Sequence, residues 1–432
     1  MAPSKITPPA SGITTPTTSS LTKDAISSSI ASQKHVASLD ASLLKTTYTT
    51  SPRAVPQPGD PQLLKMRTCT DHMITAQWTL DNGWAAPELV PYGPLSIMPT
   101  ASVLHYATEC FEGLKLYRGH DGQLRLFRVR RNCERMRRSA ARISLPDFEP
   151  AQLEALIKRL CSVDGSKWLP KTRSGSFLYV RPTLIGNDSS LGVQVPKEAL
   201  LYVVIACFPD WSDPRNLPPP STVNLTLTPV VRAAQGMKLL ASKEDAIRAW
   251  PGGFGYAKLG ANYGPSLLAQ GEARARGYDQ ILWLFGPEAH VTEAGASNFF
   301  VVWKTREGKL QMVTAPLGDM TILEGVTRAS VLQLAKERLN GASGEAVEVV
   351  ERKFTMSEVA EAVRERRVVE AFAVGTAFFV APVGLIGWRD QELEIPLAEG
   401  KTGVYARTIR GWLSDIMYGN ESHEWGVVVD EA

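Results

Sequence analysis

The chain is poor in cysteine, in charge imbalance and in long apolar runs. Its five cysteines, Cys69, Cys110, Cys133, Cys161 and Cys207, include no Cys-x-x-Cys pair, and none follows position 207. An odd, scattered set argues against a disulfide framework and fits reduced thiols in an intracellular protein. Lys and Arg total 47 against 44 Asp and Glu, a net charge of +3 spread along the chain. That balance offers no footprint for nucleic acid or an acidic membrane. No apolar run approaches the ~20 residues needed to cross a bilayer. Neither a nucleic-acid partner, a membrane nor a metal ion is expected.

What is present is bulk. With 432 residues, 44% of them hydrophobic, the chain can bury a large core, and its length suggests two domains. Residues 1–60 are dominated by Ser, Thr and Pro and lack apolar periodicity, so they read as a disordered segment. Such a stretch would suit a transit peptide, but residues 1–50 hold Lys5, Lys23, Lys34 and Lys45 and no arginine. That favours a cytoplasmic over a mitochondrial protein. Folded sequence is expected from about Asp71.

Short β-branched runs at Tyr179–Arg181, Leu200–Ile205, Gln280–Phe285 and Ser297–Trp303 read as strands. Arg131–Arg142 has helical spacing, with Cys133, Met136, Ala140 and Ile143 on one side, and further helices are expected near Pro265–Arg276 and Val326–Leu339. Between Pro209 and Pro220 five prolines rule out a helix or a central strand. The mixture without strict alternation predicts an α+β protein: a smaller N-terminal α/β domain over 61–208, a linker or lid over 209–235, and a larger C-terminal domain over 236–432.

The densest segment for chemistry is AWPGGFGYAKLGANYGP, Ala249–Pro265, which packs five glycines around Lys258. Glycines at that density imply unusual dihedrals or close backbone approach. A lysine among them suits an amine that condenses with an aldehyde, while a surface loop with an incidental lysine remains the plain alternative. Glu293, in a presumed turn between two strands, suits a carboxylate for a heterocyclic nitrogen, or is simply solvated. Leu323–Arg328 sets Gly325 before a helix whose first amides at Val326 and Thr327 suit a phosphate, or a plain Thr-assisted cap. Gly375-Thr376 offers a second such turn, and Arg128 is one of several arginines able to supply charge.

In their order these segments resemble the eukaryotic-type branched-chain aminotransferases, within the class IV pyridoxal-phosphate enzymes. The resemblance runs from about Asp71 to Gly419 and is carried by FEGLKLYRG at 111–119, LFRVRRNCERMRRSAARISLP at 126–146, LYVRPTLIGN at 178–187, RAWPGG at 248–253, KLGANYGP at 258–265, LWLFGPE at 282–288 and TILEGVTR at 321–328. It implies a two-domain fold with pyridoxal 5'-phosphate at the interface, joined to Lys258 as a Schiff base. It further implies Glu293 at the pyridine nitrogen, Tyr263 at the phenolic oxygen, and Arg128, Val326, Thr327 and Thr376 around the phosphate. Tyr106, Thr376 and Ala377 would take the substrate α-carboxylate. Phe111 and Tyr179 would wall the side-chain pocket, and Arg181 would meet the distal carboxylate of glutamate. The implied reaction exchanges amino groups between leucine, isoleucine or valine and 2-oxoglutarate, in a homodimer. A family member acting on an unusual 2-oxo acid, or an inactive binding relative, is the alternative. Departures from the family pattern fall at Ala296, at Val374, in the longer linker, and at Phe378–Ala381, which replaces the mammalian Cys-x-x-Cys.

Overall fold

The structure, a computed structural model, describes residues 36–209, 236–342, 346–376, 379–398 and 402–432. Most of the linker expected over 209–235 therefore lies outside the described residues, as does Ala377.

Two sheets divide the chain. The spine of the first runs Lys45–Thr46, Glu88–Pro91, Cys69–Thr79, Glu198–Ala206, Phe177–Gly186, Leu114–Arg118, Leu124–Phe127 and Gly426–Val429. Its core face carries Ile74, Leu116, Leu126, Val180, Leu201 and Val203, all fully buried. Two helices pack on that face, Val129–Arg142 and Pro150–Trp168. In the former, Val129, Cys133, Met136 and Ala140 form the apolar stripe expected from the sequence, while Asn132, Arg135 and Ser139 beside it are buried as well.

The second sheet runs His290–Ala294, Gln280–Phe285, Met237–Ala241, Phe379–Trp388, Val368–Gly375, Ser297–Lys304, Leu310–Thr314 and Val347–Glu351. An additional pairing of His290–Ala294 with Ser297–Lys304 closes the first six into a ring. Met237–Ala241 pairs in parallel with both Gln280–Phe285 and Phe379–Trp388, so these three strands start at the same rim. The mixed sheets and helices agree with the α+β expectation.

Three expectations need correction. The described residues before Asp71 pack against the fold: Leu39 is buried in the first core, Lys45–Thr46 joins the first sheet, and Thr49 donates its amide to His72 Nε2 at 3.0 Å. A few apolar anchors and backbone pairing are enough to fix a polar segment that has no periodicity of its own. Second, the last strand leaves the C-terminal half and pairs antiparallel with Leu124–Phe127 of the first sheet, and Glu431 just beyond it bonds the buried Arg118 guanidinium at 2.7 Å. Third, Glu293 stands within a strand, His290–Ala294, because antiparallel pairing with Gln280–Phe285 extends to Ala294; the turn follows at Gly295 and Ala296.

Candidate active site

A cavity of about 260 Å³ opens at that rim, and all six ring strands reach it. Met237, Gln280, Ala294, Ser297, Gly375 and Ala381 come from the ring. Phe111, Gly113, Tyr179 and Arg181 come from the first sheet, and Lys258 and Tyr263 from the glycine-rich segment. The site therefore sits where the two sheets meet.

Lys258 is placed by its backbone. Its amide donates to Ser139 Oγ at 2.8 Å, and its carbonyl accepts from the Phe111 amide at 3.1 Å. Its Nζ lies 3.0 Å from the Tyr263 hydroxyl and 4.9 Å from the centre of the Phe111 ring. The glycines serve close approach and one special dihedral. A Cβ on Gly260 would collide with Glu109 Oε1, and Gly252 has φ +81°.

Glu293 is buried behind Ala294. Its Oε1 accepts from the Leu323 amide and from Asn298 Nδ2, each at 3.2 Å. Its Oε2 lies 2.6 Å from an Arg248 nitrogen, an ion-pair contact whose alignment falls short of a hydrogen bond, so Oε2 keeps an unused acceptor. Burial pushes the carboxyl above its ordinary range, opposed by Arg248, the Leu323 amide, Lys258 and Arg135.

Arg128 stands before the Val129–Arg142 helix with φ 48°, in the left-handed region. Its guanidinium lies 3.9 Å over the Trp425 ring and donates to Ser330 Oγ at 3.0 Å, one turn into the Val326–Ala342 helix. No carboxylate among the described residues forms an ion pair with it. Burial first, and the like charge of Arg131 second, push it down to about 10. A half-buried cation without a counter-ion beside the unpaired first-turn amides of a helix is a place for an anion.

Phe111 packs at 5.1 Å from Tyr263, and Tyr179 stacks on Phe208 at 4.6 Å. Arg181 donates to the Tyr179 hydroxyl at 3.0 Å and lies 4.7 Å over Phe111, with its buried Nε unpaired. Tyr179 and Arg181 alternate with Val180 on one strand, which turns both toward the cavity. Thr376 Oγ1 donates to the Gly113 carbonyl at 3.4 Å. Tyr106 does not line the cavity; its hydroxyl donates to the Leu191 carbonyl on an exposed loop. Of the departures at Ala296 and Val374, the first falls on the cavity, whereas Val374 is buried in the core. Sequence reasoning missed Arg248, Asn298, Arg135 and Glu112; only the spacing of Asn132, Arg135 and Ser139 beside the apolar stripe carried a signal. All five cysteines are buried, and desolvation pushes Cys207 up to about 12.

Lys258 is held against the Tyr263 hydroxyl beside the ring of strands, with the buried Glu293 carboxyl near the cavity, an arrangement that offers an amine to a carbonyl compound. The sequence profile of the class IV aminotransferases matches residues 109–386. The cytosolic branched-chain-amino-acid aminotransferase of Saccharomyces cerevisiae is 44% identical over 92% of this chain and 99% of its own. The mitochondrial enzyme of Bos taurus is 41% identical over 90% and 91%. The T.th. branched-chain amino acid aminotransferase, solved with N-(5'-phosphopyridoxyl)-L-glutamate, superposes with a TM-score of 0.58 at 25% identity, covering 82% of this chain and 98% of that one. The chain belongs to the branched-chain-amino-acid aminotransferases of class IV. Its relatives include cytosolic and mitochondrial enzymes, and no described helix is long and apolar enough to cross a membrane.

Proposed function

We propose that the chain exchanges the amino group between branched-chain L-amino acids and 2-oxoglutarate, using pyridoxal 5'-phosphate bound through Lys258. The observation that carries this reading is the pairing of Lys258 Nζ with the Tyr263 hydroxyl at 3.0 Å inside an aromatic-walled cavity. The residues present fit the cofactor: Glu293 Oε2, though in ion-pair contact with Arg248, has no aligned hydrogen-bond donor, and Arg128 forms no ion pair among the described residues. When bound, pyridoxal phosphate supplies an aldehyde for the amine and a ring that draws electrons from the substrate α-carbon.

The chain's own groups do the rest. Lys258 Nζ would take the proton from the substrate α-carbon and pass it on to the cofactor rather than back to that carbon, with Tyr263 holding Nζ in place. Glu293 would face a ring nitrogen, its carboxyl raised by burial and opposed by the Arg248 charge beside it. Arg128 and the amides of Val326 and Thr327 hold the phosphate, with Thr376 nearby. Thr376, with Ala377 next in the sequence, would receive the α-carboxylate. Phe111 and Tyr179 exclude water from a branched aliphatic side chain, and Ala296 makes that side of the cavity less polar. Arg181, held by Tyr179 but free of carboxylate partners among the described residues, receives the distal carboxylate of glutamate. A homodimer belongs to this reading. Leu191, whose carbonyl accepts from the Tyr106 hydroxyl, and Val193 two residues on are 58% and 86% exposed, an apolar stretch that a second copy would cover.

The test is a panel of amino donors with 2-oxoglutarate. Leucine, isoleucine and valine should be turned over with kcat/KM well above those of alanine, aspartate and phenylalanine. Preference for any of the latter would remove the branched-chain assignment.

A further inference from the structure

The Val129–Arg142 helix touches more of the site than its distance from the chemistry suggests. Arg128 before it, and Asn132, Arg135 and Ser139 within it, are spaced by four, three and four, which stacks them on one face. Each side chain reaches a different part of the centre. Arg128 holds Ser330 in the Val326–Ala342 helix, and Ser139 holds the Lys258 amide. Arg135 lies between them and joins the two.

Its guanidinium uses one edge for Glu112, with Nε to Oε1 at 2.7 Å and Nη2 to Oε2 at 2.8 Å. The remaining nitrogen, Nη1, donates to the Glu324 carbonyl at 2.9 Å. Glu112 also accepts from Asn132 Nδ2 at 2.8 Å and from the Gly113 amide at 3.2 Å. Arg135 and Glu112 have side chains 5% and 1% exposed. Burial alone would raise the Glu112 carboxyl, but the Arg135 charge and fork, Lys258 and Asn132 hold it below its ordinary range. Glu112 sits between Phe111, which walls the cavity, and Gly113, whose carbonyl meets Thr376. Glu324 sits just before Gly325 and the first amides of the helix. From the other side, the same turn is held by Glu293 through the Leu323 amide and by Asn298 through the Leu323 carbonyl at 2.9 Å.

A buried fork–fork pair is costly unless further hydrogen bonds support it, and here Nη1, the nitrogen outside the fork, donates to the Glu324 carbonyl in the Leu323–Gly325 segment. We propose that Arg135, oriented by Glu112 and Asn132, is a positioning residue that fixes the Leu323–Gly325 turn against the Phe111 wall and so aims the amides of Val326 and Thr327 at the cofactor phosphate. This rests on the functional reading above. Lysine at 135 keeps the charge but cannot hold Glu112 in a fork and the Glu324 carbonyl together.

The experiment measures equilibrium binding of pyridoxal phosphate and of pyridoxal, which lacks the phosphate, to the cofactor-stripped full chain. In Arg135→Lys, pyridoxal phosphate should bind about ten- to a hundredfold more weakly, while pyridoxal changes less than about threefold. Glu112→Gln, which leaves Arg135 its bond to Glu324, should shift the same way by a smaller factor, and it decides the matter if Arg135→Lys does not fold. Equal weakening of both ligands would make the pair a purely structural bridge and overturn the proposal, as would no weakening of either. A wild-type chain that bound neither ligand would remove the functional reading itself, a result distinct from a variant that matches a binding-competent wild type.

Discussion

At the scale of single residues the centre works by leaving a few groups incompletely paired inside a packed frame. Glu293 Oε2, in ion-pair contact with Arg248, and Arg181 Nε have no aligned hydrogen-bond partner, each where a ligand group is expected. Glu293→Gln removes the charge behind the ring nitrogen, so kcat should fall by roughly a hundredfold or more. Cofactor affinity should fall far less, because Arg128 and the helix amides are untouched; an unchanged kcat would show that Glu293 is not the ring partner. Arg181 gives a sharper division. One pocket must accept an apolar side chain and one that ends in a carboxylate, and a hydrogen bond to a charged group contributes about 1.5–3 kcal/mol. Arg181→Met should therefore lower kcat/KM for glutamate and 2-oxoglutarate by about ten- to a hundredfold. Single-turnover rates with leucine should barely change, and equal losses for both would mean that Arg181 supports the fold or the cofactor.

At the scale of elements, the C-terminal strand ties the end of the chain to the first sheet. Arg118 is fully buried, and its bonds go to the Leu169 and Gly122 carbonyls and to Glu431. The Arg118 hydrogen bond holds the Glu431 carboxyl below its ordinary range. A depressed carboxylate contributes stability above the unfolded-state value and loses it as pH falls through the folded one. Glu431→Gln should thus cost about 1 kcal/mol at pH 7, and the gap from wild type should close as pH drops below about 4. A melting-temperature difference that stayed constant over that range would contradict the assignment. This strand, the ordered segment after Val36 and the Pro150–Trp168 helix were the elements least legible in the sequence. The first two are short and pair with strands distant in sequence. The helix has polar residues scattered among its apolar ones, which blurs its period. The strands at Tyr179–Arg181, Leu200–Ile205 and Gln280–Phe285 were legible because both faces are packed, leaving continuous apolar runs.

At the scale of the whole molecule, neither sheet holds the site alone. The ring of the second sheet supplies a rim of small residues, and the first sheet supplies the aromatic wall and Arg181. The residues meant for the centre could be listed along the chain by resemblance, and six of them, Phe111, Tyr179, Arg181, Lys258, Tyr263 and Thr376, line one cavity. What no linear reading gave was the support behind them, Arg248 against Glu293 and Arg135 between Glu112 and Glu324, since those pairs join segments far apart in sequence. Everything in this account turns on Lys258 as the residue that carries the cofactor. Borohydride reduction of the holoenzyme followed by peptide mass mapping tests that directly. The account predicts a single phosphopyridoxyl group fixed on Lys258, absent from Lys258→Ala; a group fixed instead on Lys238 or Lys243, or none at all, would contradict it.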